Sequence, residues 1–415
     1  MTKILIPTLR FPPAGGVGLR RIMKIGKKLA ENGVEVHYVT TNNSKQINSY
    51  VDDIKHPNIK INKIPSLSLN SYLTKYKIGI FSKIISKIIY YITLPLFFVD
   101  YATLWGIVLI PYTYWYVKKE NIKNIYVSGA AFSTLFHMAI LKHWLCPYVN
   151  LICEWRDYWT DDYERQYLPL SKLNRKFQVW MERYTILHCD KVIGVTPTLL
   201  SSLVKDNNTD KYKIIENGFD KDDFYKGESG NIIKDSSCVT VCYTGNIVDT
   251  RAEGLFLFLD ALNKYKRSNN IVFEICGELG YRIKKKLYTE YKDMIDSGML
   301  VYHGLVSVRE AIGIVEKSTL ALVLVQRQHP EALTSKFFEY CYARKPIIAI
   351  GPKGDLQDKM NKIKLGIYCE LDSFDSEKLN KYICEERKNT DYQFDEIVKY
   401  NDFSYLALEL KDELI

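Results

Sequence analysis

The chain has 415 residues, which is too long for one ordinary hydrophobic core, so two domains are predicted. Its 47% hydrophobic and 25% charged residues are typical of a globular protein. Nine cysteines are scattered without a Cys-x-x-Cys pair or a Cys/His cluster at zinc spacing. No structural metal is therefore predicted, and the thiols are expected to be buried and reduced in a cytoplasmic protein.

The net charge of +9 points to anionic partners. Nucleic acid is the weaker interpretation, because the chain carries no RNA-binding aromatic signature, zinc finger or basic repeat. The segment 72–91 favours a membrane surface instead. Its apolar residues, among them Phe81 and Ile85, fall on one helical face, while lysines and serines occupy the other. Peripheral contact with an anionic membrane is one hypothesis for this segment, and a plain solvated face is the other.

The N-terminus begins at once as a strand, with no apolar signal core, so export is not expected. Between residues 88 and 117 the only charge is Asp100, which raises the question of a membrane span. Pro95 and Pro111 break this run into pieces that are short for a span, so buried core helices are predicted. The expected location is the cytoplasm, including the inner face of the cell membrane.

Short β-branched runs alternate with longer helical patterns along the whole chain, which predicts parallel α/β sheets. The first series of predicted strands covers 3–6, 34–40, 60–64, 124–127, 150–154 and 191–195. The second series covers 239–243, 271–276, 300–303, 320–325, 346–350 and 366–370. Each series is expected to form one doubly wound, Rossmann-like domain. The predicted domains are 1–225 and 226–395, with a C-terminal helix at about 396–415 that could pack back on the first.

The most informative stretch contains Glu331 and Glu339, separated by seven residues, with Lys336 between them. A loop-held carboxylate, a Thr334-Ser335-Lys336 helix start and a second carboxylate one turn later would surround one pocket with acceptors and N–H donors. A nucleotide sugar needs this mixture, since its diphosphate binds amides and lysine while its hydroxyls bind carboxylates. Taken alone, the spacing is more typical of an ordinary amphipathic helix.

A nicotinamide dehydrogenase is disfavoured by the same residues. The first predicted strand is followed by Pro-Pro-Ala-Gly-Gly-Val-Gly at 12–18, which lacks the spacing of a dinucleotide-binding loop. The second ends in Val-Thr-Thr-Asn-Asn, with no acidic residue to hold an adenosine ribose.

Several stretches, in order along the chain, resemble retaining glycosyltransferases of the GT-B fold, the large family 4, or group 1, glycosyltransferases. They are Gly15-Gly16-Val17-Gly18-Leu19-Arg20-Arg21, Glu154-Trp155-Arg156-Asp157, Glu216-Asn217-Gly218-Phe219-Asp220, Tyr243-Thr244-Gly245-Asn246 with Arg251, Gly277, and the pair Glu331 and Glu339. The chain departs from the family pattern at Asn246, where an arginine is often found, and at Thr334, a frequent proline position. His137 lies two residues away from the family's histidine position, so a buried helix histidine is equally favoured.

The resemblance implies an α/β, GT-B architecture, with two Rossmann-like domains facing across a cleft. It implies catalytic roles for Glu331 at the transferred sugar, Asp157 in the cleft, and Arg251 and Lys336 as cations for the diphosphate. In the resembling enzymes the position of Glu339 binds ribose. The implied donor-binding residues are Gly15, Gly16, Gly18, Gly245, Asn246, Gly277, Thr334, Ser335 and Glu339.

Asp220-Lys221-Asp222 is formally the metal-binding Asp-x-Asp motif of the other glycosyltransferase fold, GT-A. Beside Asn-Gly in a linker it is better interpreted as turn chemistry, so neither a metal nor another cofactor is predicted. The resemblance implies hexosyl transfer from a nucleotide sugar to a glycan, expected to be lipid-linked, in the synthesis of capsule, O-antigen or a similar surface polysaccharide. A GT-B nucleotide-sugar epimerase and a non-catalytic nucleotide-binding scaffold are the alternatives.

Overall fold

The computed structural model describes residues 1–13, 17–41, 50–66, 99–129, 131–161, 170–204, 209–224, 238–265 and 270–415. Gly15, Gly16 and the segment 72–91 lie outside these residues. The chain divides into two compact units, one of Met1–Glu216 with Phe403–Ile415 and the other of Asn217–Asp402. The predicted limits at 225 and 395 therefore lie a few residues away from the boundaries of these units.

The first unit is built on a parallel sheet. Its strands are β1 (Lys3–Pro7), β2 (Glu35–Thr40), β3 (Ile59–Lys63), β4 (Asn124–Ser128), β5 (Asn150–Trp155), β6 (Lys191–Gly194) and β7 (Tyr212–Ile214). They lie in the order β3-β2-β1-β4-β5-β6-β7, and each pair is parallel. Strands β4 and β5 are buried along their whole length, as expected for strands covered on both faces.

Helices cover both faces of this sheet. They are α1 (Val17–Glu31), α2 (Gly106–Glu120), α3 (Phe132–Ile140), α4 (Lys172–His188) and α5 (Pro197–Leu203). Their ends follow from the sequence. The Ser171 side chain accepts the Asn174 N–H at the start of α4, and Thr196 with Pro197 begins α5. Helix α2 ends at Asn121, which adopts the left-handed conformation with φ of 52°.

The second unit repeats this design. Its strands are β8 (Val239–Thr244), β9 (Ile271–Cys276), β10 (Leu300–Gly304), β11 (Leu320–Leu324), β12 (Ile347–Gly351) and β13 (Gly366–Glu370). They lie in the order β10-β9-β8-β11-β12-β13, again all parallel. Its helices are α6 (Ala252–Lys264), α7 (Tyr281–Glu290), α8 (Lys292–Asp296), α9 (Val308–Lys317), α10 (Ser335–Tyr342), α11 (Asp355–Lys362), α12 (Ser376–Lys381), α13 (Arg387–Asn389) and α14 (Asp395–Tyr400). The prediction of two Rossmann-like sheets is confirmed.

The C-terminus returns to the first unit as helix α15 (Phe403–Lys411). Phe403, Leu406 and Leu410 are buried in one apolar cluster with residues of α1, including Leu19 and Ile22. Beyond this helix, the Ile415 N–H donates to the Asn124 side chain at 2.9 Å. Helix α14, which was predicted within the returning segment, belongs instead to the second unit.

In each sheet the strand order reverses once, between β1 and β4 in the first unit and between β8 and β11 in the second. At such a point neighbouring loops leave the sheet in opposite directions, which opens a crevice beyond the carboxyl ends of the strands. The glycine-rich stretch of 12–18 follows β1, and Gly129 follows β4. Gly245 follows β8, and the stretch from Glu331 to Glu339 follows β11. The predicted ligand-binding stretches 12–18, 245–251 and 331–339 therefore follow strands at the two reversals, whereas Asp157 follows β5 and Gly277 follows β9.

Among the described residues, no helix combines the length and the apolar content that crossing a bilayer requires. Helix α2 buries Leu109, Tyr116 and Val117 in the first unit.

Candidate functional site

Two glycines hold the ends of β8 and β9 in close contact. Gly245 has φ of 118° and Gly277 has φ of 134°, values that side-chain-bearing residues rarely adopt. A Cβ atom at Gly277 would lie 2.3 Å from the Gly245 carbonyl oxygen. The Gly245 N–H donates to the Cys276 carbonyl at 2.6 Å. Only glycine fits at both positions, so the backbone at the end of β8 is open to a group lying above it.

Lys336 lies on this open backbone. A Cβ atom at Gly245 would stand 2.1 Å from Lys336 Cε and 2.6 Å from Nζ. The structure thus brings together two predicted site residues that are 91 positions apart in the sequence (336 − 245). A lysine ammonium group at the end of a central parallel strand is suited to binding a phosphate group.

Gly245→Ala is expected to weaken the affinity for a nucleoside diphosphate about tenfold or more, because the new methyl group occupies the place of the Lys336 side chain. Titration calorimetry with a series of nucleoside diphosphates would measure this change. Gly298→Ala is the matched control, since Gly298 also has positive φ, 76°, but nothing lies within 4 Å of its Cβ position. Equal losses of affinity in the two variants would attribute the effect to backbone strain and not to Lys336.

Helix α10 is anchored to β8 by a buried tyrosine in its second turn. The Tyr340 hydroxyl accepts the Thr244 N–H at 2.9 Å and lies 3.0 Å from the Thr244 hydroxyl. Burial raises the pKa of Tyr340 well above its usual value, so this hydroxyl stays protonated. Ser335, Lys336 and Glu339 are half-buried on the same helix. The contact holds α10 against the end of β8.

Glu331 is a buried carboxylate with one satisfied oxygen. Its side chain is 7% exposed, and Oε1 lies 3.0 Å from His329 Nδ1. Its Oε2 is buried and has no hydrogen-bond partner in the described part of the chain. Leaving such an oxygen without a donor costs about 1–3 kcal/mol or more, so an incoming hydroxyl group would be favoured there. The contact with His329 was not predicted from the sequence. Its only sequence signal is that a histidine stands two residues before Glu331.

Four of the fifteen buried side-chain atoms that lack a hydrogen-bond partner among the described residues lie in the same loops. Within the described residues, Arg251 Nε, Gln328 Oε1, Glu331 Oε2 and Thr334 Oγ1 are buried without a hydrogen-bond partner. All four follow β8 or β11. Thr334 is the N-cap residue of α10, yet its hydroxyl makes no capping hydrogen bond. Native proteins keep such atoms few, so a group of them at a strand-order reversal points to a polar ligand.

Arg251 and Asn246 have contacts within the second unit. Burial raises the pKa of Tyr243, and the adjacent Arg251 opposes that rise by its charge and a hydrogen bond. The Asn246 side-chain oxygen accepts the Glu278 N–H at 2.9 Å, so it holds the loop after β9. Asn246 therefore has a structural role at the position where the resembling enzymes often have arginine.

In the first unit, the conspicuous charges at the end of β5 have partners. Glu154 is fully buried and pairs with Arg21 of helix α1, whose Nη2 lies 2.7 Å from Glu154 Oε1. Arg21 also donates to the carbonyls of Ile215 and Glu216, and the Ser128 hydroxyl donates to Glu154. These two charges hold α1 to the sheet, which leaves neither of them available as a phosphate-binding cation or a catalytic acid.

The two following residues differ in exposure. Arg156 donates to the Gly129 carbonyl at 2.9 Å and to the Gly18 carbonyl at 2.5 Å, so it ties the start of α1 to the loop after β4. Asp157 is exposed. His137 is buried in α3 against Gly106, and burial lowers the pKa of its imidazole to about 4. Of these residues, Asp157 is the most exposed.

Two groups of acidic residues bear on metal binding. Asp220 is fully buried and accepts the Asp222 N–H at 3.0 Å, which is the geometry of a capped turn. Glu35, His37 and Glu120 lie close together, but the Lys60 ammonium group lies 2.5 Å from Glu35 and 3.7 Å from Glu120. An ammonium group already neutralises those carboxylates, so this group is an ion-pair network.

No protein-family model and no curated protein sequence matches this chain. Several solved structures do match the chain. HepE from Anabaena, in complex with UDP and glucose, matches with a TM-score of 0.63 and 12% identity over 99% of each chain. The lipopolysaccharide outer core galactosyltransferase WaaB, in its apo form, matches with a TM-score of 0.61 and 12% identity, also over 99% of each chain. The chain has the GT-B fold of glycosyltransferases.

The GT-B fold also supports a different reaction. The UDP-GlcNAc 2-epimerase from Methanocaldococcus jannaschii matches with a TM-score of 0.55 and 12% identity over 99% of each chain. At such identities the likeness establishes the fold, and function has to be argued from the residues of the site.

Proposed function

We propose that this protein is a retaining glycosyltransferase that moves a hexosyl group from a nucleotide sugar to a glycan acceptor. The observation that carries the proposal is the set of unsatisfied buried polar atoms in the loops after β8 and β11, beside Lys336 on the open backbone of Gly245. A diphosphate, a ribose and a sugar together would offer negative charge to the lysine and hydroxyl donors to the unsatisfied acceptor oxygens.

Each part of the donor has a candidate partner. Lys336, the amides at the start of α10 and the Ser335 and Thr334 hydroxyls would bind the diphosphate. Glu339, one turn into α10, would accept hydrogen bonds from ribose. Gly245 and Gly277 would allow the donor to approach the backbone. Arg251 would add a second cation, since its Nε is buried without a partner.

Glu331 would bind the transferred sugar. Its Oε1 is held by His329, so the carboxylate is oriented before a donor binds, and Oε2 would accept a sugar hydroxyl. None of the candidate residues needs to be a covalent nucleophile. In a front-face reaction the leaving phosphate would help to deprotonate the acceptor hydroxyl, and the protein would supply positioning and charge. Asp157 stays a candidate on the acceptor side because it is exposed in the loop after β5.

A lipid-linked glycan of a surface polysaccharide is the proposed acceptor. The match to a lipopolysaccharide galactosyltransferase supports this choice. The basic and apolar segment 72–91 supports it too, as a hypothesis from sequence for contact with an anionic membrane on the inner face. Nucleic acid is not among the proposed partners.

The rival functions differ in what they release. A glycosyltransferase releases nucleoside diphosphate only when an acceptor is present, an epimerase changes the sugar without any acceptor, and a scaffold releases nothing. A first screen of nucleotide sugars by thermal stabilisation would find the donor, since a ligand at 100 times its dissociation constant adds about 2.7 kcal/mol of stability. Acceptor-independent turnover of the bound donor would favour the epimerase.

Activity is expected to persist in excess EDTA. Lys336, Arg251 and the amides of α10 would neutralise the diphosphate, so a divalent cation is not required for charge stabilisation. The measurement is nucleoside diphosphate release with and without EDTA, using protein stripped of metal. A loss of activity that manganese or magnesium restores would contradict this prediction, while activity that EDTA leaves unchanged would support it.

A further inference from the structure

Helix α4 presents an outer stripe of apolar and basic side chains to solvent. Three large apolar residues are strongly exposed: Leu173 at 62%, Trp180 at 50% and Leu187 at 66%. The exposed cations of the same helix are Lys172, Lys176 and Arg183. Apolar side chains that form a contiguous exposed patch often mark a site of contact with a protein or a membrane.

The six residues form one surface. At 3.6 residues per turn they fall within an arc of about 100°, with the cations along one edge and the apolar residues along the other. No acidic residue of α4 falls in this arc. Its one acidic residue, Glu182, points elsewhere and accepts the Thr160 hydroxyl. The stripe is therefore both apolar and uniformly basic.

An aromatic cluster extends the apolar edge beyond α4. Ring centroids are 5.4 Å apart for Trp180 and Tyr184, 4.3 Å for Tyr184 and His188, and 3.8 Å for His188 and His143. His143 stacks on Trp144 at 4.5 Å, and Trp144 is 70% exposed. Two exposed tryptophans are thus joined through packed rings. We call the stripe of α4 together with Trp144 the aromatic–basic face.

We propose that the aromatic–basic face docks on an anionic lipid bilayer. Tryptophan favours the boundary between headgroups and acyl chains, because its ring is apolar and its N–H is polar. Lysine and arginine beside it would contact lipid phosphates while their stems lie along the apolar surface. A bilayer offers both an apolar boundary region and anionic phosphates over the whole width of the face.

Charge selects the bilayer over a second copy of the chain. Two copies of this face would bring the cations of one α4 against those of the other, which is unfavourable in a shared apolar interface. Anionic phosphates complement all three cations. The residues of the face are different from those of the nucleotide-sugar candidate site and from those of the segment 72–91, and the proposal holds for a binding module as well as for an enzyme.

The test is co-sedimentation of the full chain with vesicles of phosphatidylcholine alone and of phosphatidylcholine with phosphatidylglycerol. The protein is expected to bind the anionic vesicles and to dissociate as salt rises. Trp144→Ser with Trp180→Ser, and separately Lys172→Glu with Lys176→Glu and Arg183→Glu, are each expected to lower the partition coefficient at least tenfold. Circular dichroism should show that both variants remain folded, since the changed residues are exposed.

Matched controls come from exposed residues of the second unit. Tyr281→Ser with Tyr288→Ser removes two exposed aromatic rings, and Arg282→Glu with Lys285→Glu and Lys317→Glu reverses three exposed charges. Neither control is expected to change vesicle binding. If the controls release the protein as strongly as the α4 variants do, the binding is non-specific and the proposal is wrong.

Two other outcomes would overturn the proposal. Lys83→Glu with Lys87→Glu tests the segment 72–91, and release by that variant alone would assign the membrane contact there. A dimer that Trp144→Ser with Trp180→Ser dissociates, with vesicle binding unchanged, would identify a second copy as the occupant. Turnover of a water-soluble acceptor should be normal in all α4 variants, so a failure of the proposed catalytic function would be recognised separately.

Discussion

Glu154→Ala is expected to destabilise the first unit by about 3–5 kcal/mol, because the change leaves the buried Arg21 guanidinium without its counter-charge. The pair is almost completely inaccessible to solvent, at 3% and 1% side-chain exposure. Arg21 also holds the carbonyls of Ile215 and Glu216, so its displacement would loosen the end of the unit as well. Denaturant titration, monitored by a spectroscopic signal that reports on the first unit, would measure the loss in the free energy of unfolding.

The double variant Arg21→Met with Glu154→Leu separates charge from packing. It removes both charges and replaces them with apolar groups of similar volume, so much of the stability should return. A double variant as unstable as Glu154→Ala would show that the hydrogen bonds from Arg21 to the backbone carbonyls matter more than the ion pair. A stability loss below about 1 kcal/mol in Glu154→Ala would contradict the prediction altogether.

The same pair gives the first unit a pH dependence with a defined sign. Burial alone would raise the pKa of Glu154, but Arg21, by charge and hydrogen bonds, together with Arg156 and Ser128, holds it below its usual value. The unfolded chain therefore binds a proton more readily than the folded one. The contribution to stability is fully present above the ordinary glutamate pKa of about 4.3 and is lost as pH falls through the folded value. In Glu154→Gln this acid-dependent part should disappear.

The second large effect concerns the two carboxylates after β11. Glu339→Ala is expected to weaken nucleotide binding by about 1.5–3 kcal/mol, which is about 10- to 150-fold, because a charged hydrogen-bond partner of ribose is removed. Glu331→Ala is expected to lower turnover and to leave the affinity for the nucleoside diphosphate nearly unchanged. Calorimetry with the nucleoside diphosphate and steady-state kinetics with the nucleotide sugar would separate the two effects.

Stability provides a control for these variants. Glu331 Oε2 is buried without a partner, so Glu331→Ala should cost little stability or none, in contrast to Glu154→Ala. Glu396→Ala, at an exposed position of α14, should change neither binding nor turnover. Equal nucleotide affinity in the wild type and Glu339→Ala would rule out the ribose assignment, whatever the effect on catalysis.

The sequence by itself determined the two sheets. β-Branched runs mark the strands because a strand buried on both faces needs continuous apolar side chains, and such a run can be recognised without knowing its neighbours. The predicted strands 271–276 and 366–370 coincide with β9 and β13 residue for residue. The glycine-rich stretch after β1 and the carboxylate-bearing stretch after β11 were also recognisable from the sequence.

Only the tertiary structure decided which polar residues meet. Arg21 and Glu154 are 133 residues apart, and each looked like a possible ligand contact until the pairing of α1 with β5 buried them together. Lys336 reaches Gly245, and Tyr340 reaches Thr244, because β8 and β11 are neighbours in the sheet. A charged side chain in a sequence has many possible partners, and burial selects one of them. Periodicity along the chain is local, whereas such pairings depend on which distant strands lie side by side.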